Sequence, residues 1–172
     1  MKTTKTELRK QLKQERLATA LEARQQNSAL IRERLLSVID WSKVATIHCF
    51  EPIDELGEVD VTGFAAGKQI FTSRLVEDKW QIVSTDNSND VPQKFDVVIV
   101  PMLGFDRRLH RIGYGGGYYD RLLAEHPEAH KIGVCFDTGK IEQIPIQEHD
   151  IPMDVIVTEA AIYTPDSTPK GV

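Results

Sequence analysis

Between Arg111 and Arg121 the chain reads Arg-Ile-Gly-Tyr-Gly-Gly-Gly-Tyr-Tyr-Asp-Arg, a set of residue types suited to holding a nucleotide triphosphate. Gly113, Gly115, Gly116 and Gly117 lack a Cβ, so the backbone there can take positive φ and approach a ligand closely. The N–H groups of such a loop, running into a helix N-terminus, form a site for anions. Arg111, with Arg107 and Arg108 nearby, adds fixed positive charge and fork-shaped donors for phosphate. Tyr114, Tyr118 and Tyr119 can stack or hydrogen-bond, and Asp120 is a hard oxygen ligand of the kind Mg²⁺ prefers. The segment matches neither the Walker A pattern nor the dinucleotide GxGxxG pattern. Four glycines alone would equally suit a solvated turn. The arginine, the aromatic pair and the acid, close together after a buried strand, favour the ligand site.

The elements that must position this loop read as an α/β sheet. Phe95–Val100 carries four consecutive Val/Ile residues before Pro101, a strand buried on both faces as in parallel sheets. Further strands are expected at Val44–Phe50, Gln69–Thr72, Lys79–Val83, Lys131–Phe136 and Val155–Thr158. Helices are expected over 5–17, opened by a Thr4/Glu7 capping box, and over 20–38, opened by Thr19/Glu22. A short helix is expected over Val59–Ala66 and another over Gly115–Glu125, with Pro101–Gly113 as loop and Thr85–Pro92 as a polar turn. Strands alternating with helices indicate one domain over 1–172, with an N-terminal helical hairpin over about 5–38, an open, mostly parallel sheet and a frayed tail over 164–172. Ligands of such sheets sit at the carboxyl ends of the strands, here the loops after Phe50, Val100, Phe136 and Thr158.

The totals narrow the function classes. An acidic balance, net charge −5 with pI about 5.5, argues against a nucleic-acid partner, which needs a basic footprint. No apolar run approaches the roughly 20 residues of a membrane helix, and MKTTKTELRKQLKQER has no hydrophobic stretch of a signal peptide. Cys49 and Cys135 both lie in apolar runs, which fits a reducing, cytoplasmic setting better than a disulfide. His48, His110, His126, His130 and His149 show no metal-ligand spacing and receive no role.

Phe105-Asp106 followed by Arg111–Arg121 resembles the signature of the 5-formyltetrahydrofolate cyclo-ligase family, also called 5,10-methenyltetrahydrofolate synthetase. Lys5-Thr-Glu-Leu-Arg9 resembles the family's opening, Glu58-Val-Asp60 its substrate-side segment, and Ile144-Pro145 with Glu148-His-Asp150 its C-terminal element. Val157-Thr158-Glu159 resembles its ending, so the likeness runs in order over nearly the whole chain. The resemblance implies a Rossmann-like three-layer α/β domain related to the sugar-isomerase and CoA-transferase sandwiches. It implies ATP- and Mg²⁺-dependent cyclisation of 5-formyltetrahydrofolate to 5,10-methenyltetrahydrofolate through a phosphorylated formyl intermediate, by a monomer or weak dimer. By position, Lys5 and Arg9 contact ATP phosphates, and Arg111 with Gly113–Gly117 cradles the rest. Asp120 and Asp150 are the implied Mg²⁺ ligands, and Glu58 hydrogen-bonds the pterin. Tyr114, Gly116 and Tyr118 border the folate, Tyr118 and Tyr119 also the nucleotide, and Arg111 and Tyr118 are the implied catalytic groups.

Three departures from the family pattern stand out. Leu109 replaces a turn glycine, the Glu51–Gly57 loop is about two residues longer, and the Gln69–Asp96 region, which normally helps wall the folate pocket, is short. Two alternatives therefore stay open: an ATP-binding member acting on another small substrate, and a non-catalytic nucleotide- or folate-binding regulator.

Overall fold

The strand Val97–Pro101 (β4) runs through the middle of the molecule with every residue buried. Its side chains alternate between two cores, as the two-residue period of a strand requires. Val97 and Ile99 join Ile132, Val134, Val155 and Val157 on the face covered by Ile31 and Leu35 of helix α2 (Leu21–Leu35). Val98 and Val100 join Ile156 on the face covered by Leu122 and Leu123 of helix α3 (Tyr118–Glu125). Both faces are dry, which is why the run is continuously apolar.

The computed structural model describes residues 3–86 and 90–165. Its main sheet holds β1 (Thr46–His48), β2 (Gln69–Val76), β3 (Lys79–Ser84), β4, β7 (His130–Val134), β8 (Val155–Val157) and β9 (Ile162–Tyr163) in the order β3-β2-β1-β4-β7-β8-β9. The inner pairs are parallel, while β2/β3 and β8/β9 are antiparallel. This is the mostly parallel α/β sheet expected. Chain order reverses between β1 and β4, so a crevice opens at their carboxyl ends. Part of the expected polar turn and, from residue 166 on, the expected frayed tail lie outside the described residues.

Local chemistry explains the element ends. Helix α1 (Lys5–Ala18) opens with the Thr4/Glu7 capping box. Thr19 closes α1 instead of capping α2, whose N-cap is Ala20 with no side-chain bond. Helix α2 stops at Leu35, and Val38 and Ile39 pack against the core from the following turn. The helix expected over Val59–Ala66 is a chain of turns. The Asp60 carboxylate accepts the Thr62 N–H (2.9 Å), the local bond by which Asp competes with a helix. Helix α3 begins at Tyr118, because Gly115 (φ +100°) and Gly117 (φ +65°) are left-handed.

The loop expected over Pro101–Gly113 contains a hairpin, β5 (Gly104–Phe105) with β6 (Arg111–Ile112). Its turn demands a left-handed residue, and Leu109 takes that conformation at φ +60°. The strain costs about 1–2 kcal/mol. Burial of the Leu109 side chain offsets it, as do the bonds from the Arg108, His110 and Ile144 amides to the buried Asp106 carboxylate. The departure from glycine is thus absorbed without losing the turn. Gly104, by contrast, has no room: a Cβ there would lie 2.6 Å from the Gly139 carbonyl and 2.7 Å from Leu12 of α1. Gly104→Ala is expected to cost about 1–3 kcal/mol, read as a lower urea midpoint at unchanged slope.

Candidate active site

A cleft of about 800 Å³ opens at the carboxyl ends of β1 and β4. It is bordered by Lys5, Arg9, Glu58, Arg111, the stretch Gly113–Gly117 including Tyr114, then Tyr118, Tyr119, Asp120 and Asp150, whereas Arg107 and Arg108, expected to add charge here, lie instead beside Lys140 and Glu142. Helix α1 brings Lys5 and Arg9, although they lie some 100 residues from the glycine loop in sequence. Arg9 Nε donates to the Gly113 carbonyl (3.0 Å), so the helix is tied directly to that loop. Lys5 pairs with Asp150, whose carboxylate also accepts the Gln147 N–H (2.7 Å). Burial pushes the Asp150 carboxyl up, but the Lys5 and Gln147 bonds outweigh it and hold the group below its usual range.

Arg111 is the fastening of the site. Its side chain is only 7% exposed; Nη2 donates to Asp120 (2.6 Å) and Nη1 to the Ile151 carbonyl (2.5 Å). The guanidinium therefore joins the start of α3 to the segment before β8. Between these points a Cβ on Gly113 or Gly116 would meet open space, so the bare backbone itself lines the cleft. The first-turn amides of α3 carry no side-chain cap. Backbone donors, a helix N-terminus and three cationic side chains make an anion cradle.

The opposite wall is acidic and aromatic. Glu58 accepts the Ile53 N–H (2.8 Å), and burial, its dominant influence, raises the carboxyl above its usual value. Glu58 also bonds Tyr114, whose hydroxyl accepts from Arg16 Nη1 (2.8 Å). Arg16 is buried in α1, donates to the Met102 carbonyl and lies over the Phe136 ring at 6.0 Å. It reads in sequence as one more helix charge; only its burial reveals that it braces Tyr114. The antiparallel β2–β3 hairpin, turned at Glu77 and Asp78 with positive φ, brings Ser73, Arg74, Leu75 and Trp80 to the cleft. The Trp80 ring lies 5.0 Å from that of Tyr118. The short Gln69–Asp96 region thus still builds a wall, which its length alone did not suggest. The loops after Phe136 and Thr158, both expected at the ligand site, stay out of the cleft and bond each other instead, Thr158 Oγ1 donating to Asp137 (3.0 Å).

Asp120 and Asp150 each carry a cationic partner, and among the described residues no three His, Cys, Asp or Glu side chains cluster to hold a metal. Two cleft carboxylates beside a loop suited to anions fit Mg²⁺, which is usually held by one or two carboxylates, water and substrate phosphates together. They do not form a cage made of protein alone.

Residues 70–159 match the family model described as the 5-formyltetrahydrofolate cyclo-ligase family. The 5-formyltetrahydrofolate cyclo-ligase of Escherichia coli (strain K12) is 33% identical over 110 residues, 58% of this chain and 60% of that protein. The aligned part therefore spans less than two thirds of that relative. The Mycoplasma pneumoniae protein of the same name is 28% identical over 164 residues, 90% of this chain and 98% of its own. A solved 5,10-methenyltetrahydrofolate synthetase from Mycoplasma pneumoniae shares the fold at TM-score 0.80 and 24% identity, covering 91% of this chain and 99% of that one. An Aquifex aeolicus 5,10-methenyltetrahydrofolate synthetase gives TM-score 0.80 at 26% identity, covering 98% and 96%. With this fold, this cleft and this match over 70–159, the chain belongs to the 5-formyltetrahydrofolate cyclo-ligase family.

Proposed function

We propose that the chain closes 5-formyltetrahydrofolate to 5,10-methenyltetrahydrofolate with ATP as co-substrate, releasing ADP and phosphate. The observation that carries this reading is one cleft joining backbone and cationic donors suited to an anion to a half-buried carboxylate and an aromatic wall. The formyl oxygen is a poor leaving group; phosphorylation activates it, and N10 of the same folate then attacks the carbon as phosphate departs. Both partners of the second step belong to one molecule, so the protein's work is orientation and charge stabilisation.

Residue by residue, Lys5, Arg9 and Arg111 hold the phosphates and the Gly113–Gly117 amides complete the cradle. Glu58, fixed by Ile53 and Tyr114, receives the pterin's N–H edge, and Tyr118 and Trp80 flank the ring. Asp120 and Asp150 would hold Mg²⁺, which neutralises charge on the phosphate oxygens. No helix among the described residues is long and apolar enough to cross a membrane. Cys49 and Cys135 are free and buried, which supports a reducing, cytoplasmic setting for the enzyme, and burial pushes their thiols up to about 12, which leaves them unreactive.

The test is growth of the methenyl-folate absorbance on mixing protein, 5-formyltetrahydrofolate, ATP and Mg²⁺, against an ATP-free control. ATP-dependent growth supports the reading. A flat trace from protein that calorimetry shows to bind ATP would transfer the site to another small substrate or to a regulator. Asp120→Asn is expected to raise the Mg²⁺ needed for half-maximal turnover about tenfold. A magnesium titration matching wild type would remove Asp120 from the ligand set.

A further inference from the structure

His48, on β1, is fully buried and does not line the cleft, yet Nε2 lies 2.8 Å from Ser73 Oγ. Ser73 Oγ in turn bonds the Tyr118 hydroxyl, and Ser73 and Tyr118 both face the cleft. The other ring nitrogen, Nδ1, has no hydrogen-bond partner among the described residues. Phe95 and Tyr119 pack around the ring with centroids 5.6 and 6.2 Å away.

The tautomer of this imidazole decides what the cleft wall offers. With the proton on Nδ1, the chain holds only two hydrogens for its two bonds: Ser73 donates to His48 and Tyr118 donates to Ser73. The cleft would then see lone pairs alone. With the proton on Nε2, three hydrogens serve two bonds, and one O–H is left over for the cleft. The first form buries an orphaned N–H at Nδ1 and the second only a bare lone pair. Orphaned N–H groups are the rarer in folded proteins. Burial keeps the ring neutral, with its pKa lowered to about 4.

We propose that His48, acting through Ser73, is a positioning residue that makes the Ser73–Tyr118 pair a hydrogen-bond donor for a carbonyl oxygen in the cleft. This rests on the function above only for naming that oxygen, the formyl oxygen of the folate. The donor would select 5-formyltetrahydrofolate over a reduced folate of the same ring system whose N5 substituent lacks a carbonyl.

Two measurements on the full chain test it. Histidine-selective ¹⁵N NMR reads the His48 tautomer without any ligand. The expected form is Nε2–H, and an Nδ1–H signal would overturn the proposal. Affinities for 5-formyl- and 5-methyltetrahydrofolate, followed by Trp80 fluorescence, then read the preference. Ser73→Val, which removes the hydroxyl and matches Ser73→Thr in shape, is expected to reduce the preference for the formyl compound about tenfold. Ser73→Thr, which restores the hydroxyl, should recover most of it. Equal preference in Ser73→Val and wild type would overturn the proposal even if turnover falls. If wild type bound neither folate but showed the Nε2–H signal, the donor polarity would stand and the folate assignment would fail.

Discussion

Arg111→Ala is expected to lower the affinity for ATP by about 100-fold, the equivalent of losing one or two charge-assisted hydrogen bonds. The residue is almost out of solvent, and its fork already spans from Asp120 to the Ile151 carbonyl. Truncation would thus remove the proposed phosphate donor and also unfasten α3 from the segment carrying Asp150. Asp120, 24% exposed, loses its partner but keeps contact with water, so that part of the cost is modest. Arg111→Lys keeps the charge without the fork and should fall between the two. Isothermal calorimetry with ATP decides the matter; unchanged affinity in Arg111→Ala would remove the glycine segment from the nucleotide site.

The second large effect is on stability in acid. The His48 ring is held down to about 4, against 6.5 in a free chain, by burial first and the nearby His126 second. The unfolded chain therefore takes up this proton at higher pH than the folded one. The contribution of His48 to stability is complete above about pH 6.5. It declines as pH falls and is exhausted near pH 4. Over that window the loss amounts to about 3 kcal/mol. Asp96 and Asp150, whose pKa values are lowered, lose stability at still lower pH, whereas the raised Glu58 acts in the opposite sense. Comparison with His48→Gln isolates the histidine. Urea midpoints should fall much less steeply between pH 6.5 and 4 in the variant, and parallel curves would show that His48 titrates normally.

Much of the site was legible in the sequence because its chemistry is local. The glycines, Arg111, the tyrosines and Asp120 lie in one short segment, and a ligand loop needs little beyond that proximity and a strand to hang from. The apolar strands were legible for a similar reason: burial on both faces writes itself as an unbroken Val/Ile run at Val97–Val100.

What local pattern could not decide was which distant groups meet and whether a polar residue is buried. The Leu109 turn kept its shape because Asp106 collects amides from Arg108, His110 and the remote Ile144, a bond pattern no spacing announces. The short Gln69–Asp96 region still walls the cleft because the β2–β3 pairing aims Ser73, Arg74 and Trp80 at it. Arg16 and His48 look like ordinary helix and strand residues until the fold seals them from water. Residue type and order determined which candidate anion-binding and carboxylate groups this chain brings to the cleft. Only the tertiary structure decided which side chains are braced, desolvated and pointed, because desolvation and hydrogen-bond direction depend on neighbours far away in sequence.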